Sequence, residues 1–246
     1  MNGGVNLCID QGNSSTKVGI FNGSELIESY HFDTFGIAET NVLFKSYSIS
    51  GCILSSVVTG NEKLVAFLKN NCTVFIELTH ETSIPVTNAY QTPESLGKDR
   101  LAAIIGAAYL KPGQDLLVID AGTAITYDFI SSKGIYTGGN IAPGLNLRLK
   151  SLHEFTQKLP LVEASSESPF MGNDTNSAIL SGALYGIALE IDGYINTLKI
   201  KYPQLSTFLT GGSTFYFDNK LKNAIFAEKN LVLIGLNRIL QYNAQK

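Results

Sequence analysis

The sequence predicts an α/β fold made of two similar halves, each a mixed sheet flanked by helices. Three observations carry that expectation. First, a strand-turn-strand unit occurs twice: LCIDQGNSSTKVGI at residues 7–20 and LVIDAGTAITYDFI at residues 117–130 align without a gap. Identities fall at Leu7/Leu117, Ile9/Ile119, Asp10/Asp120, Gly12/Gly122, Thr16/Thr126 and Ile20/Ile130, and a duplicated unit constrains a whole architecture. Second, strand-like and helix-like runs interleave after each copy, the pattern of α/β folds. Third, Pro112-Gly113 breaks the chain just ahead of the second copy, so the halves are expected at residues 1–112 and 113–246.

The elements follow in order. Residues 25–31 read as a third strand and 52–58 as an apolar fourth. Residues 61–71 place Leu64, Val65 and Leu68 at helical spacing, and residues 73–78 read as a strand. The Ala- and Leu-rich run 101–110 predicts a buried helix closed by Lys111-Pro112-Gly113. In the second half, residues 146–159 carry Leu149, Leu152, Phe155 and Leu159 as one helical stripe ended by Pro160. A long apolar helix is expected over about 176–200, a strand over 205–210 running into Gly211-Gly212-Ser213, and a closing helix over 231–242. Two similar α/β halves imply a ligand cleft between them.

Composition removes several function classes. The chain has 246 residues, 44% hydrophobic and 16% charged, which suits one large or two small folded domains. A net charge of -3 and only three arginines, Arg100, Arg148 and Arg238, supply no basic footprint for nucleic acid. Cys8, Cys52 and Cys72 are odd in number and lack C-x-x-C spacing, as in a reduced intracellular chain. The start MNGGVNL has no basic, apolar leader pattern, and the run 101–110 is about half a membrane span. A soluble, cytoplasmic protein without membrane partners is expected. His31, His80 and His153 stand apart, without H-E-x-x-H or cysteine partners, so zinc is disfavoured. Neither G-x-x-x-x-G-K-[ST] nor any G-x-G occurs, nor a G-x-S-x-G nucleophile elbow.

What remains is two Asp-x-Gly turns and a Gly-Gly turn at strand ends. Taken singly, Asp10 to Asn13 reads as a hairpin turn, because Asp, Gly and Asn tolerate φ > 0. Taken as a pair, such turns let backbone N–H groups approach a polyphosphate, while the Asp holds a cation or its bound water.

These turns resemble the phosphate loops of the actin, sugar-kinase and heat-shock ATPase fold, which is ribonuclease H-like. Within it, DQGNSSTK at 10–17, YQTPESLGKDR at 90–100, DAGTAIT at 120–126, GGNIAPG at 138–144 and GNDTNSAILSG at 172–182 together resemble the type III pantothenate kinases. DQGNSSTK at 10–17 is similar to the family's first phosphate loop, with Ser14 where the family usually has Thr. YQTPESLGKDR at 90–100 matches its Tyr, Pro and Gly-x-Asp-Arg signature, and DAGTAIT at 120–126 its second loop. GGNIAPG at 138–144 matches a glycine-proline loop, and GNDTNSAILSG at 172–182 the segment with a substrate threonine.

The resemblance implies transfer of the ATP γ-phosphoryl group to the primary hydroxyl of pantothenate, the first step toward coenzyme A. It makes Asp99 the general base, with Tyr90, Gly97, Lys98, Asp99, Arg100 and Thr175 at the substrate. Asp10, Gln11, Gly12, Asn13, Ser14, Ser15, Thr16, Lys17, Thr123, Gly211 and Gly212 would contact ATP and its phosphates. Asp10 would act through Mg²⁺, and Asp120 would hold a monovalent cation, K⁺ or NH₄⁺. The family is dimeric, so a homodimer is implied. Plainer readings stand beside these. Asp99 can serve a helix start, Arg100 a surface ion pair, Tyr90 core packing, and Thr175 an N-cap. Rival functions are a non-catalytic nucleotide-binding regulator and another small-molecule kinase of the same fold.

Overall fold

The structure is a computed structural model and describes residues 4–13, 15–217 and 219–245. Ser14, expected at the phosphates, lies outside the described residues. The chain divides into two compact units: residues 1–112, 134–136 and 230–246, and residues 113–133 and 137–229.

In the first unit, β1 (Val5–Gln11), β2 (Thr16–Asn22) and β3 (Glu25–Phe32) form an antiparallel meander. On the other side of β1, β4 (Ile49–Ser56) and β5 (Val74–Glu77) add in parallel, giving the order β3-β2-β1-β4-β5. Leu7, Cys8 and Ile9 on β1 and Cys52, Ile53 and Leu54 on β4 are all fully buried. That is why both strands read as continuous apolar runs rather than alternating ones. Helices α1 (Ile37–Ser46) and α2 (Glu62–Asn71) bury Leu43, Leu64 and Leu68 against this sheet. The short β6 (Thr87–Asn88) and α3 (Lys98–Leu110) complete this part of the unit.

The second unit repeats the plan. β7 (Leu116–Ala121), β8 (Ala124–Ile130), β9 (Ile135–Pro143, whose first two residues belong to the first unit and pair there with β6), β10 (Ser206–Thr210) and β11 (Phe226–Ala227) stand in the order β11-β10-β7-β8-β9. Helices α4 (Leu145–Glu154) and α5 (Thr175–Lys201) lie over them. By length and composition α5 could cross a membrane. Its Leu184, Ile187, Ile191 and Ile195 are instead fully buried in the core, as in a soluble protein.

The repeat is real in topology but not gapless. Asp10 faces Lys17 across the first hairpin and Asp120 faces Thr126 across the second. Gly12 N closes its turn on Ser15 O (3.0 Å), whereas Gly122 N closes on Ala124 O (3.0 Å). The first turn is therefore one residue longer, and past it the equivalent residues are Thr16 and Ile125, both buried. The sequence identities Thr16/Thr126 and Ile20/Ile130 are not structural ones.

Other expectations also shift. The unit division coincides with Pro112-Gly113, but residues 230–246, expected in the second half, belong to the first unit. There α6 (Leu231–Ala244) packs on α3 through glycines: a Cβ on Gly235 would lie 1.8 Å from Ala102 O. Asn237 ties α6 to the sheet, accepting from Asn6 Nδ2 and donating to Gly23 O, each at 2.9 Å. The helix expected over 146–159 stops at Glu154, leaving Phe155 87% exposed. Beyond it the Thr156 hydroxyl donates to Leu152 O (2.7 Å) and accepts from Leu159 N (3.3 Å), the side-chain competition that ends helices. The glycine-proline segment 138–144 is mostly strand β9, where Gly139 lets the chain pass a neighbour closely: a Cβ there would meet Tyr127 O at 1.9 Å. Helix α1 went unread because its Thr, Asn and Val are weak helix formers.

Candidate active site

The first turn leaves β1 through Asp10, which accepts a hydrogen bond from Ser55 Oγ on β4 at 3.3 Å. Its cross-strand neighbour is Lys17, so a carboxylate and an ammonium occupy one face of the hairpin. Gly12 and Asn13 are exposed at the tip, and Ser15 is half-buried. Gln11 and Thr16, expected at the phosphates, are instead buried at the turn's base. The Gln11 amide oxygen accepts from Ser56 Oγ (2.9 Å) and Asn61 Nδ2 (2.6 Å), and its nitrogen donates to Phe35 O (3.4 Å). That side chain is committed to holding the turn.

In the same unit, the start of α3 carries the Gly-Lys-Asp-Arg segment. Gly97 is the N-cap and makes no side-chain cap, so Asp99 sits within the first turn. Asp99 is exposed and accepts from Arg100 N at 2.8 Å. A side chain at Gly97 would press on that carboxylate, its Cβ 2.6 Å from Asp99 Oδ1. Arg100 is only 6% exposed, which removes the surface ion-pair reading. Its guanidinium carbon lies 5.7 Å from the centre of the Tyr90 ring, which in turn stacks on buried Tyr136 at 6.1 Å. Tyr90 is placed by β6: Ala89 N donates to Tyr136 O (2.8 Å) and Tyr90 N to Asn88 Oδ1 (3.0 Å). Lys98 donates from Nζ to Ser56 O at 3.0 Å. Beside it lies a cavity of about 220 Å³, lined in part by His80, Asn88, Glu94 and Lys98.

In the second unit two loops converge on the Asp120 turn. Gly211 follows β10 with φ +101°, and Ser213 N donates to Ala121 O at 2.9 Å. Gly144, the N-cap of α4, donates to Thr123 O at 3.0 Å, and a Cβ on it would meet Gly122 O at 2.3 Å. Backbone N–H groups at a helix start and small residues packed this closely suit an anion. Thr123 and Gly212 are exposed there. Arg148 fixes the start of α4, donating from Nε to Pro143 O (2.8 Å) and from Nη2 to Glu190 Oε2 (2.6 Å). Glu190 also accepts from Tyr127 OH at 2.8 Å. Burial, and then that carboxylate, push the Tyr127 phenol above its ordinary range, so it stays a donor.

Elsewhere in that unit, Thr175 is the first residue of α5 and is exposed. The capping belongs to Asp174, whose carboxylate accepts from Asn176 N (2.9 Å) and Ser177 N (3.1 Å), leaving the Thr175 hydroxyl outside that role.

A model of the type III pantothenate kinase family matches residues 6–197. The chain belongs to that family. A type III pantothenate kinase of Phocaeicola vulgatus is 49% identical over 239 residues, covering 97% of this chain and 99% of its own. Among solved structures, a Campylobacter jejuni protein assigned to the Baf family of transcriptional activators matches with TM-score 0.63 and 25% identity, over 98% of this chain and all of its own. A ROK family glucokinase from Streptomyces griseus, solved with glucose and AMPPNP, matches with TM-score 0.53 and 11% identity over 99% of this chain, a likeness of fold alone. The fold is thus the α/β fold of actin-like ATPases and sugar kinases.

Within this type III pantothenate kinase family member, sequence reasoning missed Ser55, Ser56 and Asn61. Only Asn61 carried a local signal, standing directly before α2, and its side chain makes no cap there.

Proposed function

We propose that the chain transfers the γ-phosphoryl group of ATP to the primary hydroxyl of pantothenate, giving 4′-phosphopantothenate and ADP in the first step of coenzyme A synthesis. Family membership over nearly the whole chain makes it a kinase. The observation that carries the site is an exposed Asp99 carboxylate next to a buried Arg100 held against Tyr90. Asp99 orients the hydroxyl and takes its proton as the oxygen–phosphorus bond forms and the bond to ADP breaks. A loose phosphoryl transition state asks little more of a base. Arg100, buried with its guanidinium carbon 5.7 Å from the Tyr90 ring centre, meets an anionic group of the substrate, and Tyr90 and Thr175 line the acceptor.

Asp10, Gly12, Asn13 and Lys17 of the first unit, and Thr123, Gly211 and Gly212 of the second, are the nucleotide-contacting residues of this reading. Among the described residues no cluster of three or more His, Cys, Asp and Glu could hold a metal alone. A lone carboxylate such as Asp10 fits Mg²⁺, which keeps several waters and binds chiefly through phosphates; when bound, it neutralises charge on the transferring group. Asp120, whose cross-strand neighbour is a hydroxyl where Asp10 has Lys17, is assigned the monovalent cation. A cytoplasmic homodimer completes the proposal, supported by exposed Phe155, Phe170 and Met171 in the second unit.

The test is an ADP-release assay across pantothenate, sugars and short carboxylic acids, with and without K⁺ or NH₄⁺. Turnover with pantothenate alone, dependent on the cation, is expected. Turnover with a sugar or acid instead would reassign the substrate. Nucleotide binding without any turnover would favour a regulator.

A further inference from the structure

We propose that Lys98 is a positioning residue, which with Gln11, Ser56 and Asn61 straps the first phosphate turn to the helix start bearing Asp99. This rests on the kinase reading above, and it moves Lys98 out of the substrate-contacting set. Four elements of the first unit meet here: the end of β1 (Gln11), the end of β4 (Ser56), the residue before α2 (Asn61) and the first residue of α3 (Lys98).

The bonds interlock. Asn61 Nδ2 reaches Gln11 Oε1 (2.6 Å) and Ser56 Oγ (2.8 Å), and Ser56 Oγ donates to Gln11 Oε1 (2.9 Å). Val57 N donates to Gln11 O (3.1 Å), so backbone and side chain of Gln11 are both held. Lys98 Nζ then donates to Ser56 O (3.0 Å), joining α3 to the same residue.

A lysine at the first position of a helix is electrostatically out of place, because the N-terminus already carries a partial positive charge. The Ser56 carbonyl accounts for it, supplying an acceptor that fixes the ammonium. Gln11 precedes Gly12 of the phosphate turn and Lys98 precedes Asp99, so the strap sets the distance from phosphate turn to base. Phosphoryl transfer depends on that distance, since the protein's contribution is mainly positioning and electrostatics.

The experiment uses the full chain with ATP, Mg²⁺, K⁺ and varied pantothenate. It compares Lys98→Met, which keeps the apolar stem, Lys98→Arg, which keeps a donor, Asn61→Ala, and the double variant Lys98→Met/Asn61→Ala. Misplacement predicts that Lys98→Met loses about 10-fold or more in kcat while KM for pantothenate stays within about threefold. Lys98→Arg restores most of kcat. The double variant falls short of the product of the single losses, because both act on one network. Hydrogen exchange at residues 98–101 accelerates in Lys98→Met, a readout independent of turnover. A KM rise of about 10-fold with kcat intact would make Lys98 a direct substrate ligand and overturn the proposal, as would unchanged kinetics and exchange. If Lys98→Met does not fold, Lys98→Arg and Asn61→Ala carry the comparison. Failure of the wild type to turn over pantothenate would sink the kinase reading by itself, and the exchange measurement would still judge the strap.

Discussion

Gly211 lies directly against Asp120: a Cβ at Gly211 would fall 2.5 Å from Asp120 Oδ1 and 2.5 Å from Ala121 O. Its φ of +101° is also one that side chains rarely adopt. Gly211→Ala therefore strains the backbone by about 1–3 kcal/mol and displaces the carboxylate. Thermal melting should show the loss, and ATP binding should weaken with it. Gly212→Ala, with nothing within 4 Å of its Cβ, should melt like the wild type. Equal behaviour of the two variants would disprove the packing argument.

Asp99 and its Asn variant present the same acceptor to Arg100 N, which lies 2.8 Å from Asp99 Oδ1. Only Asp can take a proton. Asp99→Asn should stay within about 1 kcal/mol of wild-type stability, having lost only a favourable charge at a helix start. It should lose about 10²- to 10⁴-fold in kcat. A folded variant that keeps substantial turnover would remove Asp99 from the base role.

Gly235 on α6 admits no larger residue, since its Cβ would lie 1.8 Å from Ala102 O and 3.0 Å from Gly106 N. Gly235→Ala should cost about 1–3 kcal/mol, the usual penalty of overpacking. Gly193→Ala on α5, which meets nothing within 4 Å, should instead stabilise by up to about 1 kcal/mol through helix propensity. Denaturant midpoints of the two variants should move in opposite directions.

Asp192 is 5% exposed and gathers the chain at Lys222 and Asn223. Burial opposes its ionisation, but bonds from the Asn223 side chain and from Lys222 N (2.9 Å) and Asn223 N (3.0 Å) outweigh it and hold its carboxyl below the usual range. A depressed folded pKa contributes stability that is present above the unfolded value, about 3.9, and is lost as pH falls through the folded value. Asp192→Asn should be less stable near neutrality and should show a shallower acid limb. Parallel acid limbs in the two proteins would contradict this.

Much of the fold was legible because its signals are local. The apolar runs of β1, β4 and β7 and the Asp-x-Gly turns are properties of adjacent residues, and so is the Ala-rich α3. Burial on both strand faces needs consecutive apolar side chains. The same locality explains the misses. The stripe from Leu149 to Leu159 has helical spacing, yet Thr156 ends the helix through its own hydroxyl. Gly138 and Gly139 look like loop residues and are strand residues, and Gly139 lets two backbones approach. Of the proposed site, Asp10 and Asp120 stood out through the repeated turn, and Asp99 and Arg100 only through the family resemblance. Gln11 and Lys98 were named with them, and both side chains bond Ser56.

By itself the sequence determined most of the element types, the duplicated turn and the motifs that mark the family, since these depend on residue chemistry at short spacing. Only the tertiary structure decided that α6 joins the first unit, that the first turn is one residue longer than the second, and that Lys98 and Gln11 are held through Ser56. Each of those rests on partners far apart in the chain, such as Asn6 with Asn237 and Lys98 with Ser56. Which distant backbone atom a side chain reaches is settled by packing, and neighbouring residues do not encode it.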